Sequence, residues 1–258
     1  MKIVVIGTGN ERDKQYLSVI TEAGYTDVEY VDASCGIEQA IQSIKQMMLP
    51  DDAIFVKGSM SSADYLSILL AFRQRDNRAY HLLMLQKHQQ TFGLVDAAMN
   101  ILFTDPQVYA EVLVSAATKY LHITGSLPVV YMFEAAVNPK IAYSHDLYVE
   151  TKKILDQVGI QSEIRQLDAI FSKDSCDAKG LEHPAQHRLI ACSEINSADA
   201  IMKSFILNHW VGRGYIFNMM YNAILNSRVQ DIRSTVYCIK ELELIQSKEK
   251  RNINNDNL

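Results

Sequence analysis

Short apolar runs alternate with amphipathic stretches through the first half of the chain. Ile3-Val4-Val5-Ile6 is β-branched throughout and closes at Gly7, which predicts a buried parallel strand. Apolar positions then recur at Tyr16, Leu17, Ile20 and Ala23, a helical stripe over residues 11–23 closed by Gly24. Val28–Val31 reads as a second strand, and Ile37, Ala40, Ile41, Ile44 and Met48 form a second helical stripe ending at Pro50. Ala53–Val56 is a third strand. The alternation continues with a helix over Ser61–Phe72, a strand over Leu82–Leu85, a helix over Asp105–Leu121 and a strand over Val129–Phe133. Asp105-Pro106 supplies a side-chain cap followed by proline at the first helical position. This alternation predicts an α/β protein with largely parallel strands.

Beyond that point the pattern thins. A helix is expected over residues 145–158, closed by Gly159, with Ser162–Leu167 as a strand. Residues 172–188 are polar and turn-rich and read as a surface loop, followed by a short strand at Leu189–Cys192. Residues 199–225 are apolar without a clear period, so no element is placed there. A last helix over Ile232–Ile245 and a frayed polar tail, RNINNDNL, complete the reading.

Composition narrows the class. A chain of 258 residues folds as one large domain or two smaller ones. Its 48% hydrophobic and 21% charged residues are those of an ordinary globular protein. The formal net charge of -5, with no Lys/Arg cluster beyond a local pair, argues against a nucleic-acid partner. Cys35, Cys176, Cys192 and Cys238 are scattered without a CxxC, as expected of idle thiols in a reducing compartment. The run Ile3–Ile6 is too short for a signal peptide, and no apolar stretch approaches the ~20 residues that span a bilayer. The expectation is a cytoplasmic protein with no membrane partner.

Candidate chemistry lies mostly in loops after strands. Asn226-Ser227-Arg228-Val229-Gln230-Asp231-Ile232 runs from an apolar stretch into a helix-like segment. There a hydroxyl, a guanidinium and the N–H groups of a helix start would together grip an oxyanion. Gly7-Thr8-Gly9, with Asp32 at the end of the second strand, admits a nicotinamide-dependent dehydrogenase. The third glycine of GxGxxG would fall on Arg12, however, which favours a plain strand-to-helix turn. His183 and His187 have helical ligand spacing, but Pro184 and the polar surroundings favour a loop over a metal site. No nucleophile elbow is present. Three further loops place polar residues where an open parallel sheet collects ligands. They are Lys57-Gly58-Ser59-Met60-Ser61-Ser62, Asp96-Ala97-Ala98-Met99-Asn100 and Glu134-Ala135-Ala136-Val137-Asn138-Pro139.

Taken in order, these segments resemble the phosphate acetyl/butyryltransferase family, the butyryl branch more than the acetyl one. The matching features are Val56-Lys57-Gly58 followed by Ser61-Ser62-Ala63-Asp64, and Asp96–Asn100 before Asp105-Pro106. Glu134 with Asn138-Pro139, and then Ser227-Arg228, complete the set. The resemblance covers roughly residues 50–140 and 188–245. It implies a two-domain α/β fold of isocitrate/isopropylmalate dehydrogenase-like type, with largely parallel sheets, flanking helices and an interdomain cleft. The first domain would comprise residues 1–78 plus 217–258 and the second residues 79–216, usually in a homodimer.

The implied reaction is acyl-CoA plus orthophosphate giving acyl phosphate plus free coenzyme A, on a short, butyryl-like or branched, acyl group. Coenzyme A is then substrate and product, and no metal or bound cofactor is implied. The catalytic roles map to Ser227, Arg228 and Asp231. Substrate binding maps to Lys57, Gly58, Ser61, Ser62, Asp96, Asn100, Glu134 and Asn138, with Arg213 as a replacement charge. Position 67 is serine where the family carries arginine, and residues 198–226 are shorter than the matching family stretch. Those departures keep a catalytically weak paralogue that binds coenzyme A or a related anion as the alternative.

Overall fold

Two separated stretches of chain build one sheet. In the computed structural model, which describes residues 1–73, 78–87, 90–95, 104–134, 143–166, 187–191, 211–225 and 232–255, the chain divides into two compact units. Unit 1 comprises Met1–Ala79 and Arg213–Leu258; unit 2 comprises Tyr80–Gly212.

Unit 1 starts with β1 (Ile3–Gly7), α1 (Glu11–Glu22), β2 (Val28–Asp32), α2 (Ile37–Gln46), β3 (Ile54–Lys57) and α3 (Ser62–Leu70). The later stretch adds most of β9 (Val211–Phe217), β10 (Asn222–Leu225) and the last helix, α6 (Ser234–Asn255). The strand order is β2-β1-β3-β10-β9. The first four strands are parallel, with Ile3 opposite both Val28 and Ile54, and Asn222 opposite Ile54. β9 runs antiparallel to β10, Ala223 opposite Ile216.

β1 and β3 are flanked on both sides, so Val4, Val5, Ile6, Ile54, Phe55 and Val56 are fully buried and their runs do not alternate. The chain moves from β1 to β2 in one direction and from β2 across to β3 in the other. Right-handed crossovers therefore send α1 and α2 to opposite faces. α1 packs against α6, and α2 against α3.

Unit 2 contains β4 (Tyr80–Lys87), β5 (Gln90–Val95), α4 (Pro106–Thr124), β6 (Val129–Glu134), α5 (Tyr143–Gln157), β7 (Ser162–Gln166) and β8 (His187–Ala191). Its strand order is β4-β5-β8-β6-β7. β5, β8, β6 and β7 are parallel, whereas β4 and β5 form an antiparallel hairpin. Asp105 caps α4 by accepting from the Gln107 N–H, Pro106 opens the helix, and Gly125 at φ 78° closes it. Among the described residues no helix is long and apolar enough to cross a membrane.

The α/β class stands, but the largely parallel expectation needs correction: β4–β5 and β9–β10 are antiparallel. β5 and both strands of the 211–225 region were not placed from the sequence. His187 and Arg188, read as the end of a loop, open β8, and α6 runs on to Asn255 through residues read as a frayed tail.

His81 on β4 is 3% exposed, and burial pushes its imidazole down to about 4. The unfolded chain takes up a proton at this side chain near pH ~6.5, while the folded chain resists until much lower pH. The stabilisation is therefore complete above the unfolded value and is lost as pH falls toward the folded one. Urea titrations between these limits should show a loss of roughly 3 kcal/mol that His81→Leu abolishes. An unchanged pH slope in the variant would assign the effect elsewhere.

Candidate functional site

β1, β2 and β3 end at one edge, and the strand order reverses at β1. The loops after β1 and β3 consequently lead away to opposite faces and open a crevice at the carboxyl ends, the usual ligand position of an open α/β sheet. A cavity of about 540 Å³ lies there, lined by Thr8, Cys35, Ile37, Met60 and Asp64 among others.

Beneath these loops sits Asp13, 2% exposed, in the first turns of α1. It shares the buried stripe of that helix with Tyr16 and Ile20. Its Oδ1 accepts from the Ser59 amide at 2.6 Å. Its Oδ2 accepts from the amides of Thr8 and Gly9, both at 2.9 Å, from the Ser59 hydroxyl at 2.7 Å and from the Tyr30 hydroxyl at 3.1 Å. Burial alone would raise the Asp13 pKa. The hydroxyl and amide of Ser59, the Tyr30 hydroxyl and the Thr8 amide outweigh it and hold the carboxyl below its ordinary value. Tyr30, pushed up to about 12 chiefly by burial, keeps its proton to donate.

Two glycines make room for this carboxylate. A Cβ on Gly7 would lie 2.3 Å from Asp13 Cγ, and one on Gly58 would lie 2.4 Å from Asp13 Oδ1 and 2.9 Å from the Ile6 carbonyl oxygen. The Gly58 amide donates to that same carbonyl at 2.8 Å. Successive amides at 58 and 59 therefore point inward, and the chain reaches α3 in a fixed conformation. Ser61 then caps α3, accepting from the Asp64 N–H at 3.0 Å and donating to Asp64 Oδ2 at 2.7 Å. Ser62 is exposed in the first turn.

Lys57 ends β3 half-buried. Burial, aided by the positive charge of Arg12 and opposed by Asp13, lowers its ammonium below the ordinary value. Lys57, Gly58, Ser61 and Ser62 thus share the β3–α3 connection. Arg213 lies on β9, where its Nε donates to Glu241 of α6 at 3.0 Å, and the Tyr215 hydroxyl donates to the same carboxylate. Glu134 ends β6 opposite Gln166 of β7. Ser227, Arg228, Asp231, Asp96, Asn100 and Asn138 lie outside the described residues.

The Gly7-Thr8-Gly9 turn is poorly suited to a dinucleotide. Its Thr8 and Gly9 amides, which would face a pyrophosphate, already donate to a buried negative charge. His187 lies in β8 with its Nδ1 3.2 Å from the Tyr120 hydroxyl. Among the described residues no group of three or more His, Cys, Asp or Glu side chains could hold a metal ion. Sequence reasoning missed Asp13 and Tyr30, and gave Ser59 no role beyond its place in the 57–62 loop. The signal was there for Asp13, since it is a carboxylate on an apolar helical stripe, followed at 16 and 20 by buried residues.

The fold is that of solved phosphotransacylases. A branched-chain phosphotransacylase from Enterococcus faecalis V583 superposes with a TM-score of 0.61 at 19% identity, covering 95% of this chain and 99% of that one. The EutD phosphotransacetylase from Staphylococcus aureus superposes with a TM-score of 0.56 at 13% identity, covering 95% and 94%. No family profile and no curated protein matches the sequence.

Proposed function

We propose that the chain is a phosphate acyltransferase that converts acyl-CoA and orthophosphate to acyl phosphate and free coenzyme A. The observation that carries this reading is a likeness spanning 95% of the chain to a branched-chain phosphotransacylase. Within that fold, the Lys57–Ser62 motif of the resemblance forms one connection at the carboxyl end of β3. The acyl group is short, butyryl-like or branched, and the protein works as a homodimer.

In the step proposed, a phosphate oxygen attacks the thioester carbonyl. A carbon–oxygen bond forms, the carbon–sulfur bond breaks, and the departing thiolate takes up a proton. Arg228 and Ser227 hold the phosphate and Asp231 handles the coenzyme A thiol, in the roles implied by the resemblance. Lys57 and the α3 start at Ser61-Ser62 add cationic and N–H character to the anion's surroundings. Catalysis then rests on positioning and charge stabilisation, with no covalent enzyme intermediate.

One observation favours a weakly catalytic, ligand-binding paralogue as the second reading. Ser67 is exposed on α3 with its hydroxyl donated to the Ala63 carbonyl at 2.9 Å, a neutral group where the family carries arginine. Loss of one charge-stabilising donor costs about 10²–10³ in rate.

The test is phosphate-dependent thiol release from acetyl-, butyryl- and isobutyryl-CoA, with thermal shifts on coenzyme A and orthophosphate alongside. Turnover that requires phosphate supports the enzyme. A thermal shift with slow turnover that Ser67→Arg accelerates supports the second reading. Neither turnover nor a shift with either ligand overturns both.

A further inference from the structure

The acyl-transfer chemistry makes no use of the Asp13 carboxylate, although that group ties the Thr8-Gly9 turn and Tyr30 of β2 to the β3–α3 connection. We infer that Asp13 is a positioning residue: it fixes the backbone of Lys57–Ser61 in its binding conformation without itself touching substrate. The inference rests on the acyl-transfer reading above.

The geometry carries it. Five donors converge on two carboxylate oxygens from three segments far apart in sequence: the Thr8-Gly9 turn, Tyr30 on β2 and Ser59 after β3. All five are N–H or O–H groups, so the site asks for an acceptor at both oxygens. Asparagine has the right size but presents an NH₂ either to the Ser59 amide or to the Thr8 and Gly9 amides. Glutamate would carry an extra methylene into a space closed by the glycine backbones at 7 and 58.

A buried carboxylate at the edge where an anion is to bind repels that anion, so direct contact with phosphate is excluded as its role. Its influence passes instead through the inward pull on the Ser59 amide and hydroxyl. Together with the Gly58 amide bond to the Ile6 carbonyl, that pull decides where Lys57 and the Ser61 cap stand. Thr8 Oγ1 lies 2.8 Å from Ser59 Oγ, so the β1 turn braces the same point.

The experiment compares the full-length wild type with Asp13→Asn and Tyr30→Phe by amide hydrogen exchange and by steady-state kinetics. Tyr30 is remote in sequence from the β3–α3 loop, and the Phe variant removes one donor from Asp13 and one acceptor from the Gly9 amide while leaving the loop's own residues intact. In Asp13→Asn, exchange at Thr8, Gly9 and Ser59 should accelerate while β1 stays protected. KM for orthophosphate should rise about tenfold or more, with kcat held within about threefold, because a displaced binding group weakens binding before chemistry. Tyr30→Phe should raise the same KM by about threefold.

A merely structural role would lower the active fraction, seen as a fall in kcat at constant KM, and that result overturns the inference. So does faster exchange at Ser59 with KM unchanged. If Asp13→Asn fails to fold, Tyr30→Phe and Ser59→Ala decide, and an unaltered KM in both overturns it. A wild-type chain without phosphate-dependent turnover overturns the acyl-transfer reading instead. Asp13 is then judged by exchange alone, where unchanged protection at Ser59 in Asp13→Asn counts against it.

Discussion

Asp13→Ala is expected to lower the unfolding free energy by about 3 kcal/mol or more, a large share of what a domain of this kind possesses. The carboxylate accepts from three backbone amides and two hydroxyls, and alanine leaves those donors around an empty space. Each buried donor left unsatisfied costs about 1–3 kcal/mol, less whatever water recovers at the exposed Thr8-Gly9 turn. Gly58→Ala attacks the same junction from the opposite side. Its new Cβ meets Asp13 Oδ1 and also the Ile6 carbonyl and the Gly7 Cα, so relief requires parting β1 from β3, at about 1–3 kcal/mol.

The pH dependence gives an independent check. The Asp13 carboxyl lies below its ordinary value in the folded chain, so its stabilisation is full above the unfolded value and is lost as pH falls through the folded one. The difference between wild type and Asp13→Ala in urea should therefore narrow in acid. A constant difference down to strongly acidic pH would mean that the charge is irrelevant.

Arg228→Ala should weaken phosphate use more than coenzyme A binding. If the guanidinium makes the bidentate contact proposed for it, its loss removes about 1.5–3 kcal/mol, roughly a tenfold to hundredfold rise in KM for orthophosphate. Lysine at 228 should restore only part of this, because a point charge cannot reproduce the planar fork. Steady-state titration of orthophosphate at saturating acyl-CoA reads the effect. Wild-type phosphate dependence in Arg228→Ala would show that the Ser227-Arg228 assignment is wrong.

The first 72 residues were legible because local signals and tertiary context agree there. The first apolar run ends at Gly7, the second helical stripe stops at Pro50, and the first and third helices start at the capping residues Asn10 and Ser61. β5 escaped notice because Gly93 interrupts its apolar run. The position favours glycine, since a Cβ there would meet Leu189 Cδ1 at 2.6 Å and that side chain would have to shift. β9 escaped for a related reason: Gly212 and Gly214 break its pattern, and Arg213 between them is held by Glu241, a residue distant in sequence. Strand direction was not legible at all in β4 and β9, because an apolar run buried on both faces reads the same in either sense. At the site, Lys57, Gly58 and the serines were found by motif, whereas Asp13 was passed over. A carboxylate in a helix's first turn is normally explained by the helix dipole, which hid the cue that Asp13 shares the stripe of Tyr16 and Ile20.

The split construction of unit 1 bears on how the protein is made. β3 has β1 on one side and β10 on the other, with Ile54 and Phe55 opposite Asn222 and Ala223. On the ribosome, β3 emerges long before β10, and everything between Tyr80 and Gly212 is synthesised first. Unit 2 is continuous and can complete itself during translation. The nascent first unit must meanwhile wait with the outer edge of β3 unpaired, an apolar strand edge open to any other chain nearby. Crowded polysomes and fast induction are the conditions under which that wait is most hazardous, and slow expression at low temperature should favour soluble product.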